Sequence, residues 1–410
     1  MLKPSIYIAL PVMNEMERLP AFMEALRLQT LQEYSLLVCI NQPEKWWKDP
    51  SQITVCEDNR QAISFLESFK DGRITIIDRS SEGKGWTGKN HGIGWARKVL
   101  MDEIAAKALP DDIILSLDAD TLFGPRYLES ILQNRMNCPS ANAISVPYYH
   151  RLTGNEPLDR AMLRYEIYMR SFVINLWRIQ SPYSFTALGS AIALPVRAYK
   201  MIGGMTPKLS GEDFYFMQKL VKTGTVVNWN EEKVYPATRL SNRVFFGTGP
   251  ALIKGIEGDW DSYPVYNMHW YDDIQETYLC FDRLFTEDIP SPLDEFLISV
   301  FGSLPWPALR SNFKTKKHFV RACHEKADGL RLLQYLKSRQ KSENLNDDRN
   351  LAELLQYLAI HYQSLPAADL NLFDFSASGL SELDAIRNYL ENVESFFRKQ
   401  HYDEVCKLNS

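Results

Sequence analysis

Four short apolar runs, separated by amphipathic or polar stretches, constrain the fold of this chain more than any other feature. Residues 5–10, 35–40, 74–78 and 113–115 are dominated by Ile, Leu and Val and bounded by turn-forming residues. That is the pattern of strands buried on both faces. Between them, residues 19–28, 60–69 and about 90–108 read as helices, while 11–15 reads as a loop. Strands separated by helices require crossover connections and a largely parallel sheet. In such sheets ligands bind outside the carboxyl ends of the strands.

The fourth run ends in Leu117, Asp118, Ala119 and Asp120. If the extended backbone continues through Asp120, the alternation of side chains sends both carboxylates to one side. Two such carboxylates can hold a hard divalent cation and leave coordination positions for phosphate oxygens. The competing reading is a strand that stops in a polar turn, with Asp120 or Thr121 capping the next element.

A second motif is misleading. Gly83, four residues, Gly88 and Lys89 begin like a phosphate-binding P-loop, but the magnesium-binding hydroxyl expected next is replaced by Asn90. The loop also comes late in the strand series, so a nucleotide hydrolase fits poorly. Lys84 and Lys89 are still placed to meet a diphosphate near a helix start.

Together these pieces resemble the nucleotide-sugar-dependent glycosyltransferases of family 2, whose fold is called GT-A. The resemblance covers about the first two-thirds of the chain. It rests on the first strand with Pro11, Asn14 and Glu15, on residues 83–96 with Lys89-Asn90 and Gly92-Ile93, and on Asp118-Ala119-Asp120 as a D-x-D element. Gly189-Ser190-Ala191, Gly203-Gly204 and Glu212-Asp213 then come in the family's order. It implies an α/β Rossmann-like, mostly parallel sheet with flanking helices. It implies transfer of a single sugar from a nucleoside-diphosphate sugar to a hydroxyl on a glycan, lipid-linked or small-molecule acceptor. Mn2+ or Mg2+ would sit on Asp120 and Asp118, and Asp213 would be the base of an inverting displacement, with Glu212 orienting it. A retaining route is the alternative stereochemistry. Ser210 through Asp213 also read as a helix start, with Ser210 as N-cap.

The chain departs from the family in places. Asn41 stands where many members carry an acidic residue against the nucleotide base, and the Q-x-x-R-W element of processive synthases is missing. Residues 239–260 form either a lid, with Arg239 and Arg243 meeting the diphosphate, or an ordinary surface loop. His269 lies where some relatives supply a further metal ligand; its other reading is a packed core residue. A sugar nucleotidyltransferase or a non-catalytic nucleotide-sugar binder are the other classes. The first needs a basic Gly-rich loop after the opening strand, which residues 11–15 lack, and the second has no use for Asp213.

Composition narrows the partners. The 410 residues carry a formal net charge of −5 and six scattered cysteines, which gives no reason to expect nucleic acid and favours reduced thiols in a cytoplasmic protein. No apolar run approaches the ~20 residues of a spanning helix, so the chain reads as soluble or at most peripherally attached to a membrane. The aromatic-rich stretch 158–177 reads as a core-facing helix. After about residue 290 prolines punctuate a connection and helical patterns take over, which divides the chain into a catalytic domain, 1–289, and a helical C-terminal domain, 290–410. Leu383, Ile386, Leu390, Val393 and Phe397 share one face of its last helix.

Overall fold

The computed structural model describes residues 3–89, 91–208, 210–241, 247–362 and 373–407. They form two compact units: Met1–Leu158 with Ala187–Ile253 and Arg398–Ser410, and Asp159–Thr186 with Lys254–Phe397.

The first unit is built on a seven-stranded sheet. Its strands are β1 (Ile6–Val12), β2 (Tyr34–Asn41), β3 (Ile74–Arg79), β4 (Ile113–Ser116), β6 (Ala143–Ser145), β7 (Ile192–Pro195) and β8 (Val226–Val227), while β5 (Thr121–Phe123) pairs separately with β9 (Val234–Pro236). The order is β3-β2-β1-β4-β7-β6-β8. The first four are parallel, as the apolar runs require, and β7 runs antiparallel between β4 and β6. Ile8, Ala9, Leu36, Val38, Ile114 and Leu115 are fully buried or nearly so. The strand order reverses between β1 and β4, so a crevice at their carboxyl ends is the natural ligand position.

Two strand ends and one helix start differ from the sequence reading, the helix read as 60–69 running from Ile53 to Ser68. β1 continues through Pro11, which pairs with Cys39 of β2. The ladder to β4 ends with Leu117 donating to the Ala9 carbonyl, and Pro11, which has no N–H, cannot carry it further. β4 itself ends at Ser116 rather than extending to Asp120. The helices Leu19–Arg27, Ile53–Ser68 and Ile93–Lys107 fill the crossovers.

Cys138 and Cys406 are joined in a disulfide with Cα atoms 5.2 Å apart. The pairing departs from the reading of six reduced thiols, while Cys39, Cys56, Cys280 and Cys323 are free. Around the bridge, Ala141 and Val227 pack with Trp229, Tyr402 and Val405. Arg398 donates to the carbonyls of Ser145 and Asn228 at 3.2 and 3.0 Å. The end of the chain is thus part of the sheet unit.

The second unit is helical. Thr315, Asp328 and Asn346 cap three of its helices by accepting from the backbone N–H three residues on. Its largest cluster brings Leu163, Ile167 and Ile174 against Leu351, Leu354, Leu355 and Leu358, and against Leu383, Ile386, Leu390 and Val393. These come from the helix Glu156–Arg178, from Asp347–His361 and from the last helix, Leu380–Lys407. Within it Glu166 accepts from Arg170 at 2.6 Å, Arg170 reaches Glu394 at 2.6 Å, and Arg387 stands 3.6 Å from Glu166. All four side chains are buried. No helix among the described residues is long and apolar enough to cross a membrane.

Candidate active site

Where β4 ends, the chain turns. Leu117 still donates to the carbonyl of Ala9, but Thr121 closes back on Asp118 at 3.0 Å. Asp118 and Asp120 therefore lie in a turn, and each serves a different arginine. Asp118 accepts from Arg97 at 2.6 Å, while Asp120 accepts from Arg239 at 2.6 and 2.8 Å. The extended backbone that would align the two carboxylates does not persist past Ser116.

Arg97 organises the centre of this end of the sheet. It arises from the buried stripe of Ile93–Lys107, next to Ala96 and one turn before Met101, and its guanidinium bridges Asp118 and Glu212. Burial alone would lower its pKa, but Asp118, Glu212 and Asp213 outweigh that and raise it, so it stays cationic. Space for it depends on Gly189, because a Cβ there would lie 2.1 Å from the guanidinium. Gly189→Ala should displace Arg97 from Asp118 and the buried Glu212 and cost about 1–3 kcal/mol, the usual range for overpacking. Thermal denaturation of the variant checks this, and an unchanged melting temperature would contradict it.

The helix Glu212–Thr223 starts from Gly211, whose φ of 71° lies in the left-handed region. The N-cap is thus Gly211 and not Ser210, since glycine takes that conformation without a Cβ penalty. Glu212 is buried against Arg97. Asp213 next to it retains part of its surface, and its carboxylate accepts from the N–H of Phe214 at 2.8 Å. Burial first, and the Glu212 carboxylate second, push its pKa well above the ordinary carboxylate range, against the pull of Arg97. A carboxylate held this way takes up a proton near neutral pH.

On the other side, Asn14 takes a left-handed φ of 57°, and its N–H is held by Asn59 at 2.9 Å. Glu15 is buried and accepts from the same Arg239 that holds Asp120. Asn41 is buried, donating to the carbonyl of Val12 at 3.0 Å and accepting from the Trp86 indole at 3.2 Å. Lys84 pairs with Asp78 at 3.0 Å. Burial would raise Asp78, but hydrogen bonds from Ser81, Ser80 and Lys84 prevail and hold it low. The amides of Gly83 and Gly85 donate to Glu44 at 2.9 and 2.8 Å, so the P-loop-like stretch uses these N–H groups inside the protein. Lys89 is exposed. Asn90 and Arg243 lie outside the described residues. His269 opens the helix His269–Leu284 in the second unit, with Nδ1 3.1 Å from Asp272; it is exposed, not packed as core.

Residues 113–248 match the family model described as glycosyl transferase family group 2. The chain carries a family 2 glycosyltransferase domain and is a glycosyltransferase. The matched segment of this domain begins at β4 and contains the acidic turn, Gly189, Glu212, Asp213 and Arg239. Its mostly parallel sheet, flanking helices and C-terminal helical region are the α/β architecture expected from the sequence. No curated protein sequence matches the chain. Among solved structures it is similar to S. aureus TarS 1–349 in complex with UDP-GlcNAc, at 11% identity and a TM-score of 0.41, over 97% of this chain and 92% of that one. It is also similar to the mannosyltransferase PcManGT from Pyrobaculum calidifontis in complex with GDP-Man and Mn2+, at 15% identity and a TM-score of 0.36, over 84% and 89%. Likenesses this distant assign no substrate.

Among the described residues no three His, Cys, Asp or Glu side chains gather into a metal site. Asp120 nevertheless retains a solvent-facing part, as does Asp118. One or two carboxylates shared with substrate phosphates are the usual setting for a hard divalent ion. Both carboxylates could share such an ion with a diphosphate, though each already pairs with an arginine, Asp118 with Arg97 and Asp120 with Arg239.

Proposed function

We propose that the chain transfers a single sugar from a nucleoside-diphosphate sugar to an acceptor hydroxyl by an inverting single displacement. The observation that supports this most is the placement of Asp213: a partly open carboxylate next to Glu212, which Arg97 ties to the acidic turn. In the reaction the acceptor oxygen forms a bond to the anomeric carbon while the bond to the donor phosphate breaks. Asp213 takes the hydroxyl proton, and the nucleoside diphosphate leaves with the bonding electrons. Glu212 positions Asp213 and is itself held by Arg97. Arg239, set between Glu15 and Asp120, supplies positive charge beside the leaving diphosphate. Mn2+ or Mg2+ held by Asp120, with Asp118, would add Lewis-acid stabilisation of the same charge.

A panel of uridine and guanosine diphosphate sugars, each with candidate acceptors, tests the reading by the product released. Free nucleoside diphosphate is expected. Pyrophosphate as product or co-substrate would indicate a nucleotidyltransferase, and donor binding without turnover would indicate a binder.

Cation involvement has its own expected outcome. Calorimetric titration of UDP or GDP with Mn2+ should show tighter binding than the same titration in chelator, and Asp120→Asn should abolish that difference while leaving the fold intact. Equal affinity with and without chelator in the unmutated protein would contradict it.

A further inference from the structure

We propose that Trp86, and not Asn41, holds the donor's nucleobase, by stacking. This rests on the donor being a nucleoside-diphosphate sugar. Asn41 ends β2, one strand from the point where the strand order reverses, the position from which a side chain could pair with the edge of a base. Its amide is already engaged at both ends. Nδ2 donates to Val12 and Oδ1 accepts from Trp86, and only 2% of the residue is exposed. An amide buried in that way has little left to offer a ligand.

Trp86 is the opposite case, a large aromatic fixed in place but only partly buried. Its N–H donates to the carbonyl of Gln42 at 2.8 Å, and its own carbonyl accepts from Glu44 at 2.9 Å. The indole N–H is tied to Asn41, and the Arg79 guanidinium lies 5.2 Å from the ring centroid. Glu44 also clamps the amides of Gly83 and Gly85. A Cβ on Gly85 would come within 2.7 Å of the Glu44 backbone, so the loop closes this way only with glycine there. The loop that resembles a phosphate cradle is therefore a mount for an indole at the carboxyl ends of β2 and β3. A preformed aromatic face costs little ordering on binding. Stacking tolerates any base, because every base offers a π-face. Uridine and guanosine diphosphates should accordingly bind with similar affinity, and the sugar-side contacts would carry the selectivity.

Calorimetric titration of the full chain with UDP, GDP and inorganic pyrophosphate, each with Mg2+, tests this. Trp86→Leu should weaken UDP and GDP by about 5- to 100-fold and leave pyrophosphate affinity unchanged, with a melting temperature close to that of Trp86→Phe, which loses the same bond to the buried Asn41. Trp86→Phe, which keeps a ring but loses the bond to Asn41, should stay within about five-fold of the unmutated protein. Unchanged UDP and GDP binding in Trp86→Leu would overturn the inference. So would a parallel loss of pyrophosphate binding, or a melting temperature well below that of Trp86→Phe, which would make Trp86 a structural support of the loop. If the unmutated protein binds neither UDP nor GDP, the donor reading itself fails, a result distinct from either of these.

Discussion

Asp213→Asn is expected to lower sugar transfer by ~10² to 10⁴-fold, the usual contribution of a positioned general base, while nucleoside-diphosphate affinity stays nearly unchanged. The lost group acts on the acceptor proton and has no role in holding the donor, so the loss should appear in kcat. The same residue sets a pH dependence. Burial first and Glu212 second raise its pKa, and only the ionised form accepts a proton. Transfer should therefore climb as pH rises from the ordinary carboxylate range to the raised value, then level off. Stability runs the other way. Across that interval the unfolded chain has already released the proton that the folded chain retains, so the folded state binds more protons and loses stability as pH rises. Asp213→Asn removes this penalty and should melt at or above the temperature of the unmutated protein near neutral pH. Kinetics and melting curves on one protein sample separate a base from a simple helix-start residue. The latter would retain activity and lose up to ~1 kcal/mol of stability.

Truncation at residue 290 is the second large effect, and its expected result is an insoluble product. By composition the helices beyond that point look like a separable appendage. Their apolar faces instead complete a core begun earlier in the chain: Leu351, Leu354, Leu355, Leu358, Leu383, Ile386, Leu390 and Val393 pack with Leu163, Ile167 and Ile174. Emptying a single buried Leu site costs about 2–5 kcal/mol, and a whole domain is typically stable by only about 5–15 kcal/mol. The cut also strips Glu394 and Arg387 from the buried Glu166 and Arg170, leaving charges short of partners. Finally, it removes Arg398 and Cys406 from the sheet unit. Solubility and a melting transition of residues 1–289 check the prediction. A soluble fragment with cooperative melting and nucleoside-diphosphate release would show that the helices are dispensable.

β1, β2 and β4 are legible in the sequence as continuous apolar runs because they are buried along nearly their whole length, while β3, at the sheet edge and only partly buried, shows through its Ile-rich run. The later strands are not. β6 has three residues and β8 two, and such elements exist only through pairing with distant partners. The turn at Asp118 and Asp120 reads as extended because the apolar run leads into it. What breaks the strand is the closure of Thr121 onto Asp118. Arg97 escapes a reading by motif although the sequence holds a signal for it. It shares a helical face with Met101 and Ile104, and a cation on an apolar stripe demands a buried carboxylate. Lys84 reads as reaching for phosphate, whereas Asp78, six residues earlier, engages it. The pairing of Cys138 with Cys406 spans 268 residues and leaves no local trace.

The stereochemistry of the product tests the central claim most directly. Once the donor panel identifies a productive pair, proton NMR during turnover reads the anomeric coupling of the first sugar transferred. A single displacement with Asp213 as base predicts an anomeric configuration opposite to that of the donor. A retained configuration would contradict the account and remove the role assigned to Asp213, even if the Asp213→Asn variant were inactive.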